Sequence, residues 1–465
     1  MVAGRIVLAS CALVAMSAQA RGVSPYLPLN QSPEIERAIE RLLILADVPI
    51  LKRPIAAATV LDALDKGCER DALLCEQVKR YLTSYMGTTG LEHLSVDVGF
   101  GSGTPTVLPN QHGMDSDSSY EVSVGAFWQA SDHFLLNGGV FAYKGDTTAT
   151  GSFASIGSEY MQVDIGWRDH WLSPMTDSAM LLSTQAPTMP TLTVSNYQPI
   201  SRLGFQYEVF LGEMSESSRI LSASGTGYTT GKPRLFGLQL SIAPFPGWSL
   251  GVSRIMQYGG GDRPDAFSDL FKAFFNPAKN DNEQQFGNQV AALTSRFIFP
   301  GAMPFAVYFE YAGEDTSTLN NFRLGNAALS AGIDFPLIGK NLALKFEVSE
   351  WQNAWYVHGV YQDGLRNDDH VIGNWGGDWR VLNDGVGARS WMAQVAWEPK
   401  FGGLIEGTYR SLDNQLYTNQ PYVPGSNFDV RYTHQWRQFL IGAEVSFGRD
   451  VFGSDYSRVS GFLRF

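Results

Sequence analysis

From about residue 91 onward the chain changes hydropathy every second residue, in segments of about ten. Leu94, Val96, Val98 and Phe100 alternate with Ser95, Asp97 and Gly99. Phe305, Val307, Phe309 and Tyr311 alternate with Ala306, Tyr308, Glu310 and Ala312, and Leu342, Leu344, Phe346 and Val348 with Ala343, Lys345, Glu347 and Ser349. Residues 236–242 and 439–447 repeat the pattern. A period of two sends the two sets to opposite faces of a β-strand. A soluble β-sandwich alternates as well. Here the segments are long, and the polar face carries charges such as Asp97, Lys345, Glu347 and Glu444, which suit a wet lumen. The connections alternate too: residues 244–247 and 301–304 are tight turns, whereas 258–289 and 357–389 are long and polar. Short turns at one end and long loops at the other are the habit of transmembrane β-barrels. Past the N-terminal segment no apolar run reaches the roughly 18 residues of a spanning helix. A membrane crossing therefore requires a closed barrel, in which every backbone polar group finds a partner.

Composition agrees. A length of 465 residues serves two or three soluble domains or one large barrel. Only 17% of residues are charged, while Gly reaches 48 and Trp and Tyr are frequent at 11 and 19; soluble proteins average about 25% charged residues. The net charge of −12 speaks against nucleic acid as a partner, because phosphate contact needs clustered Lys and Arg. The same acidic balance also fits solubility alone. At roughly 20 residues per strand plus connection, residues 91–465 predict an all-β transmembrane barrel of about 18 antiparallel strands. The last strand ends in Phe465, which resembles the outer-membrane insertion signal; Phe462, on its polar face, is a departure.

Residues 1–20 read as a signal peptide for export to the outer membrane: Arg5, an apolar stretch over 6–16, and Ala18-Gln19-Ala20 as the cleavage site, with Arg21 opening the mature chain. The competing reading, a lipoprotein box at Leu8-Ala9-Ser10-Cys11, has too few apolar residues before its cysteine. Residues 21–90 then read as a small helical bundle. Ser32-Pro33-Glu34 starts a helix. A second helix runs from Ala56 to Lys66 and stops at Gly67. A third runs from Asp71 to Tyr85, with Leu74, Val78, Tyr81, Leu82 and Tyr85 on one face. Cys68 and Cys75 are expected to form a disulfide, since an exported chain meets an oxidising compartment.

Three polar stretches are individual enough to carry function. Asp164–Pro174 (DIGWRDHWLSP) with Ser178–Thr184 (SAMLLST) is too polar and Pro-interrupted to face lipid, and reads as a lumen-filling or sugar-contacting segment. Its adjacent Asp169 and His170 point to opposite sides of an extended chain and do not make an acid–base pair. In the second, Asp265–Phe275 reads as a short amphipathic helix; its Asp262, Asp265 and Asp269 lack the ligand ladder and closing Glu of a calcium loop. The third, 357–389, mixes Tyr361, Trp375 and Trp379 with Arg366, Asp368, Asp369, Asp378 and Arg380. Aromatic faces stack on sugar rings, while Asp and Arg hydrogen-bond hydroxyls or uronic acids. Packing in the lumen or in an interfacial girdle accounts for the same residues. No G-x-S-x-G, phosphate cradle or His pair at i,i+4 occurs, so no catalytic residue, metal or cofactor is expected.

DIGWRDHWLSP, SAMLLST and the following Met189-Pro190 resemble the Wzi-type capsule assembly family, as do GGGDRPDAFSDLF, the GNQ at 287–289 and YQDGLRNDDHVIGNWGGD at 361–378. The order of signal peptide, helical bundle and barrel is similar to that family over nearly the whole chain. Asn374 departs from it, standing where a His is expected after Gly373. The resemblance implies an 18-stranded outer-membrane barrel, plugged on its periplasmic side by the bundle. It further implies a surface lectin, without enzymatic activity, that anchors capsular polysaccharide or exopolysaccharide. The expected partners are that polymer and outer-membrane lipid, with the protein a monomer. Tyr361, Arg366, Asp369, Trp375, Asp378, Trp379 and Arg380 are the candidate polysaccharide-binding residues. A porin or sugar channel is the alternative.

Overall fold

A computed structural model describes residues 22–275, 286–317, 320–414 and 419–465. The expected signal peptide lies outside these residues. Helices α1 (Pro33–Leu45), α2 (Ala57–Arg70) and α3 (Ala72–Leu82) come first. The wall then follows as β1 (Thr89–Gly103), β2 (Tyr120–Ser131), β3 (Phe134–Tyr143) and a fourth strand in two pieces, β4 (Asp146–Thr148 and Phe153–Ser158). Next are β5 (Met161–Gly166), β6 (Thr191–Ser195), β7 (Gln206–Glu213), β8 (Arg234–Phe245) and β9 (Trp248–Tyr258). After helix α4 (Phe267–Phe275) come β10 (Gly287–Phe299), β11 (Phe305–Ser317), β12 (Asn320–Ile338) and β13 (Leu342–Trp351). The wall ends with β14 (Ala388–Trp397), β15 (Leu404–Asn414), β16 (Gly425–Trp436), β17 (Phe439–Arg449) and β18 (Asp455–Arg464). Each strand pairs antiparallel with the next, and β18 pairs back onto β1 from Ser95↔Arg464 to Gly103↔Tyr456. The described residues thus form a closed barrel of 18 strands, as the period of two predicts.

The alternation sorts the wall. Val98, Val140, Ile156, Ile165, Val252, Leu293, Val395 and Val459 are exposed on the outside. At the tight-turn rim aromatics form a belt: Phe245 stacks on Trp248 and Trp248 on Phe297, and Phe305 lies between Phe299 and Phe335. Such belts sit at the level of lipid headgroups. Phe462, inward on β18, is packed beneath the Arg464 guanidinium, 4.3 Å from its ring centre, in the space that Gly442 leaves open.

The helices occupy the tight-turn end. Val23 N–H donates to Asp132 O (2.7 Å) in the β2–β3 turn, and Arg37 pairs with Glu398 (2.8 Å) beside the β14–β15 turn. Their apolar faces, with Leu42, Leu43, Val60, Leu64, Val78 and Leu82, share one core with inward wall residues Phe127, Leu135 and Phe153. A disulfide joins Cys68 to Cys75, bridging α2 and α3. Gly67, read from sequence as a helix stop, lies inside α2 instead; a Cβ there would collide with Leu42 of α1, so this glycine serves close helix packing. Asp71 caps α3, accepting from Leu74 N–H (3.0 Å).

Ion pairs tie this bundle to the wall. Glu40 of α1 is buried against Arg296 of β10 and against Arg53, 3.3 Å away. Burial alone raises a carboxyl pKa, but Arg296, Arg53 and Lys345 outweigh it and hold Glu40 down at about 2. A depressed carboxylate contributes stability above its ordinary value of 4.5 and loses it as pH falls through about 2. Hydrogen-exchange protection of α1 is therefore expected to fall between those two values, and Glu40→Gln should flatten that dependence.

Candidate functional site

The lumen beyond the helices is occupied chiefly by two stretches of the chain itself, with Leu108 and Met114 of the β1–β2 connection packed against them. The first, 167–190, runs between β5 and β6 without regular structure and is almost wholly buried. Wall carboxylates hold it. Glu347 of β13 accepts from Thr176 N–H and Oγ1 (both 2.8 Å), from Asp177 N–H (3.0 Å) and from Tyr308 OH (2.9 Å). Glu208 of β7 receives Arg168 and His170 at 2.8 Å each. Burial drives the His170 imidazole below its ordinary pKa. Asp169 turns away, to His112 (3.2 Å) and Thr188. The two neighbours therefore serve separate networks.

The second stretch, 352–387, enters from the same rim as the first, the one opposite the helices, and packs on it. Ser183 N–H donates to Ile372 O (2.7 Å) and Tyr356 OH to Met180 O (2.7 Å). The aromatic residues that mark this stretch in the sequence lie in its interior. Tyr361 is buried, with its OH on Gly259 O (3.0 Å). Trp375 is buried, its indole N–H on Asp177 (3.1 Å), and Trp379 is buried, its N–H on Val107 O (3.1 Å). Their rings meet edge to face at 5.2 Å. Arg380 is buried too and donates to Val386 O (3.1 Å) and Trp355 O.

Arg366 and Asp378 form a clasp at the base of a two-residue turn. Arg366 donates to Asp378 (2.6 Å), Asp369 O (2.6 Å) and Gly377 O (2.9 Å). Asp378 also accepts from Val371 N–H (2.9 Å) and Gln185 (2.8 Å), and faces His370 at 3.5 Å. Burial opposes ionisation of Asp378, but the His370 hydrogen bond and the Arg366 charge win and lower its pKa; Asp378 in turn raises His370 against its own burial. The turn presents Asp368 and Asp369, both exposed and both left-handed, with φ of 47° and 65°. Of the seven candidate residues, Asp369 thus reaches the surface fully; Arg366 is half-buried, and the other five support the fold around the turn. Asn374 caps the short 3-10 helix Trp375–Gly377, accepting from Gly376 N–H (2.9 Å) while its own N–H donates to Tyr356 OH (2.7 Å). Among the described residues no group of three His, Cys, Asp or Glu is arranged to hold a metal ion.

A closed wall with an apolar exterior, whose lumen is occupied by its own chain, defines an occluded outer-membrane barrel. The comparisons with known proteins place it further. The model of the family described as capsule assembly protein Wzi matches residues 108–385, which include the first lumen-filling stretch and all but the last two residues of the second. The chain belongs to that family. An Escherichia coli structure, described as Wzi, an outer-membrane protein involved in group 1 capsule assembly and a carbohydrate-binding β-barrel, shares the fold. It is 15% identical, with a TM-score of 0.68 over 96% of this chain and 99% of that one. A Klebsiella pneumoniae relative, described as an uncharacterized 55.8 kDa protein in the cps region, is 28% identical over 115 residues. That match spans 24% of this chain and 21% of the relative.

Asp378→Ala leaves the Arg366 charge half-buried without its partner and should cost about 3 kcal/mol. Asp369→Asn, whose side chain also tolerates the left-handed backbone, should leave thermal stability within about 0.5 kcal/mol. Unfolding midpoints of the two variants check this. The His370–Asp378 contact has its own pH window. A raised imidazole contributes fully below 6.5 and loses its contribution as pH rises through the elevated value. Exchange protection at Val371 should weaken on that alkaline side, and His370→Gln should remove the change.

Proposed function

We propose that this protein holds exported capsular polysaccharide or exopolysaccharide at the outer face of the outer membrane, without enzymatic activity. The observation that carries the reading is the occluded lumen. Two inserted stretches and a helical bundle fill the space through which a porin would conduct, so the outer surface is where a polymer can act. Family membership and the description of the Escherichia coli relative support the same reading. The described residues 22–88 act as a periplasmic plug, and the strands carry the lipid contact. At the outer face the exposed Asp368–Asp369 turn offers carboxylates to sugar hydroxyls. Arg366 and Asp378 hold that turn in place, and Tyr361, Trp375, Trp379 and Arg380 pack the loop behind it. A single such contact is weak, but a polymer repeats its unit, and a monomer displayed in many copies on one cell retains it by avidity.

Deleting the gene should leave total polysaccharide unchanged and move most of it from the cell-bound to the released fraction. Unchanged fractions would reject the anchoring role, and a fall in both would point to export or synthesis. Complementation with Asp369→Asn should restore less cell-bound polymer than the wild-type gene at equal surface expression. In planar bilayers the purified barrel should show little ion conductance; steady conductance would favour the channel reading instead.

A further inference from the structure

The connection between β9 and β10 leaves the rim at Gly259 and carries α4 down the outside of the barrel, not over its mouth. The register of β9 establishes this. Ile255 belongs to the lumen core and Gln257 donates to Gly364 O (3.2 Å) of the inserted loop, so both point inward. Arg254, Met256 and Tyr258 therefore point outward. Met256 and Tyr258 are nonetheless 0% and 1% exposed, while Val252 on the same face is 47% exposed. The cover is α4, with Phe286 stacked on Tyr258 at 5.3 Å: Leu270 and Phe274 share a core with Met256, Tyr258 and Phe236, and Phe236 meets the Phe274 ring at 6.0 Å. Arg254 is covered as well. Its guanidinium lies 4.7 Å from the Phe274 ring centre and donates to Phe274 O (2.7 Å), where a cation complements the C-terminal carbonyls of the helix.

The far side of α4 is apolar too. Phe267, Phe271 and Phe275 recur at every fourth position and are 70%, 57% and 67% exposed. The segment of β9 that the helix covers, Arg254 to Tyr258, spans about 13 Å of strand, which at the usual tilt is about 10 Å of height in a lipid-facing band about 25 Å tall. Immediately below it on the wall, Val252 and its cross-strand partner Leu293 are exposed in that band. The aromatic stripe of α4 thus continues a surface that already meets lipid.

We propose that α4 is an interfacial membrane helix, with Phe267, Phe271 and Phe275 inserted among the acyl chains of the outer leaflet. Interfacial helices bury an apolar face about 5–10 Å into the headgroup–acyl boundary. Here the opposite face is apolar as well because it rests on protein. Seated this way, α4 keeps the Arg254 charge out of hydrocarbon and holds the start of the β9–β10 connection at the membrane plane, away from the mouth.

The test uses the full-length barrel in phosphatidylethanolamine–phosphatidylglycerol vesicles, with Cys68 and Cys75 left in their disulfide. A nitroxide label is attached in turn to Phe271→Cys, to Val252→Cys as the wall reference and to Ser224→Cys as the aqueous reference. Collision with oxygen, which concentrates in hydrocarbon, is compared with collision with a water-soluble nickel chelate. Position 271 should match position 252, with oxygen access several-fold above its ratio at 224. A chelate-dominated ratio like that of position 224 would overturn the proposal. Shielding from both reagents, with spectral broadening that disappears on dilution with unlabelled protein, would overturn it in favour of a second copy of the chain.

Discussion

Everything in this molecule follows from closing a sheet on itself. Inside a bilayer no water is available to a backbone N–H or C=O, so an open edge is excluded. Pairing β18 with β1 removes the last edge. Closure at 18 strands then creates a second demand, because a ring that wide encloses more volume than its inward side chains can fill. The chain answers by turning several of its own segments inward. These bring unpaired peptide groups with them, and the wall meets those groups with charged and hydroxyl side chains. Glu347 takes two amides and a hydroxyl from 176–177, and Ser173 donates to Glu310.

This exchange explains what the sequence reveals and what it hides. Strand positions are legible because lipid on one side and a polar lumen on the other enforce a period of two. The inward charges Lys345, Glu347 and Glu444 mark the correct face, yet in the structure they meet Asp334, the inserted backbone and Arg431. The helix starts are legible through Pro33 and Asp71. Gly67 misleads, because a glycine demanded by a neighbouring helix looks the same as one that ends a helix.

The loop aromatics are ambiguous for a similar reason. Tyr361, Trp375 and Trp379 stand in a segment with no periodicity, so nothing local tells an exposed platform from a packed core. The signal that was present is positional: consecutive Asp368 and Asp369 sit between Arg366 and His370, the spacing of a tight two-residue ribbon whose tip must face outward. The helix over 265–275 is equally legible as an apolar, amphipathic stretch. That one of its faces packs on the outside of the wall becomes visible only once Met256 and Tyr258 are known to be hidden behind it.

The seam between β1 and β18 has one more consequence. Arg458 and Asp97, joined across it at 2.6 Å, stand 361 residues apart, and the helices precede both strands. The contact that completes the wall therefore joins its first strand to its last, and no shorter stretch of the chain can supply it. Without β18 both β1 and β17 would keep a row of unpaired backbone groups, and Asp97 would be left in the lumen without the guanidinium that neutralises it.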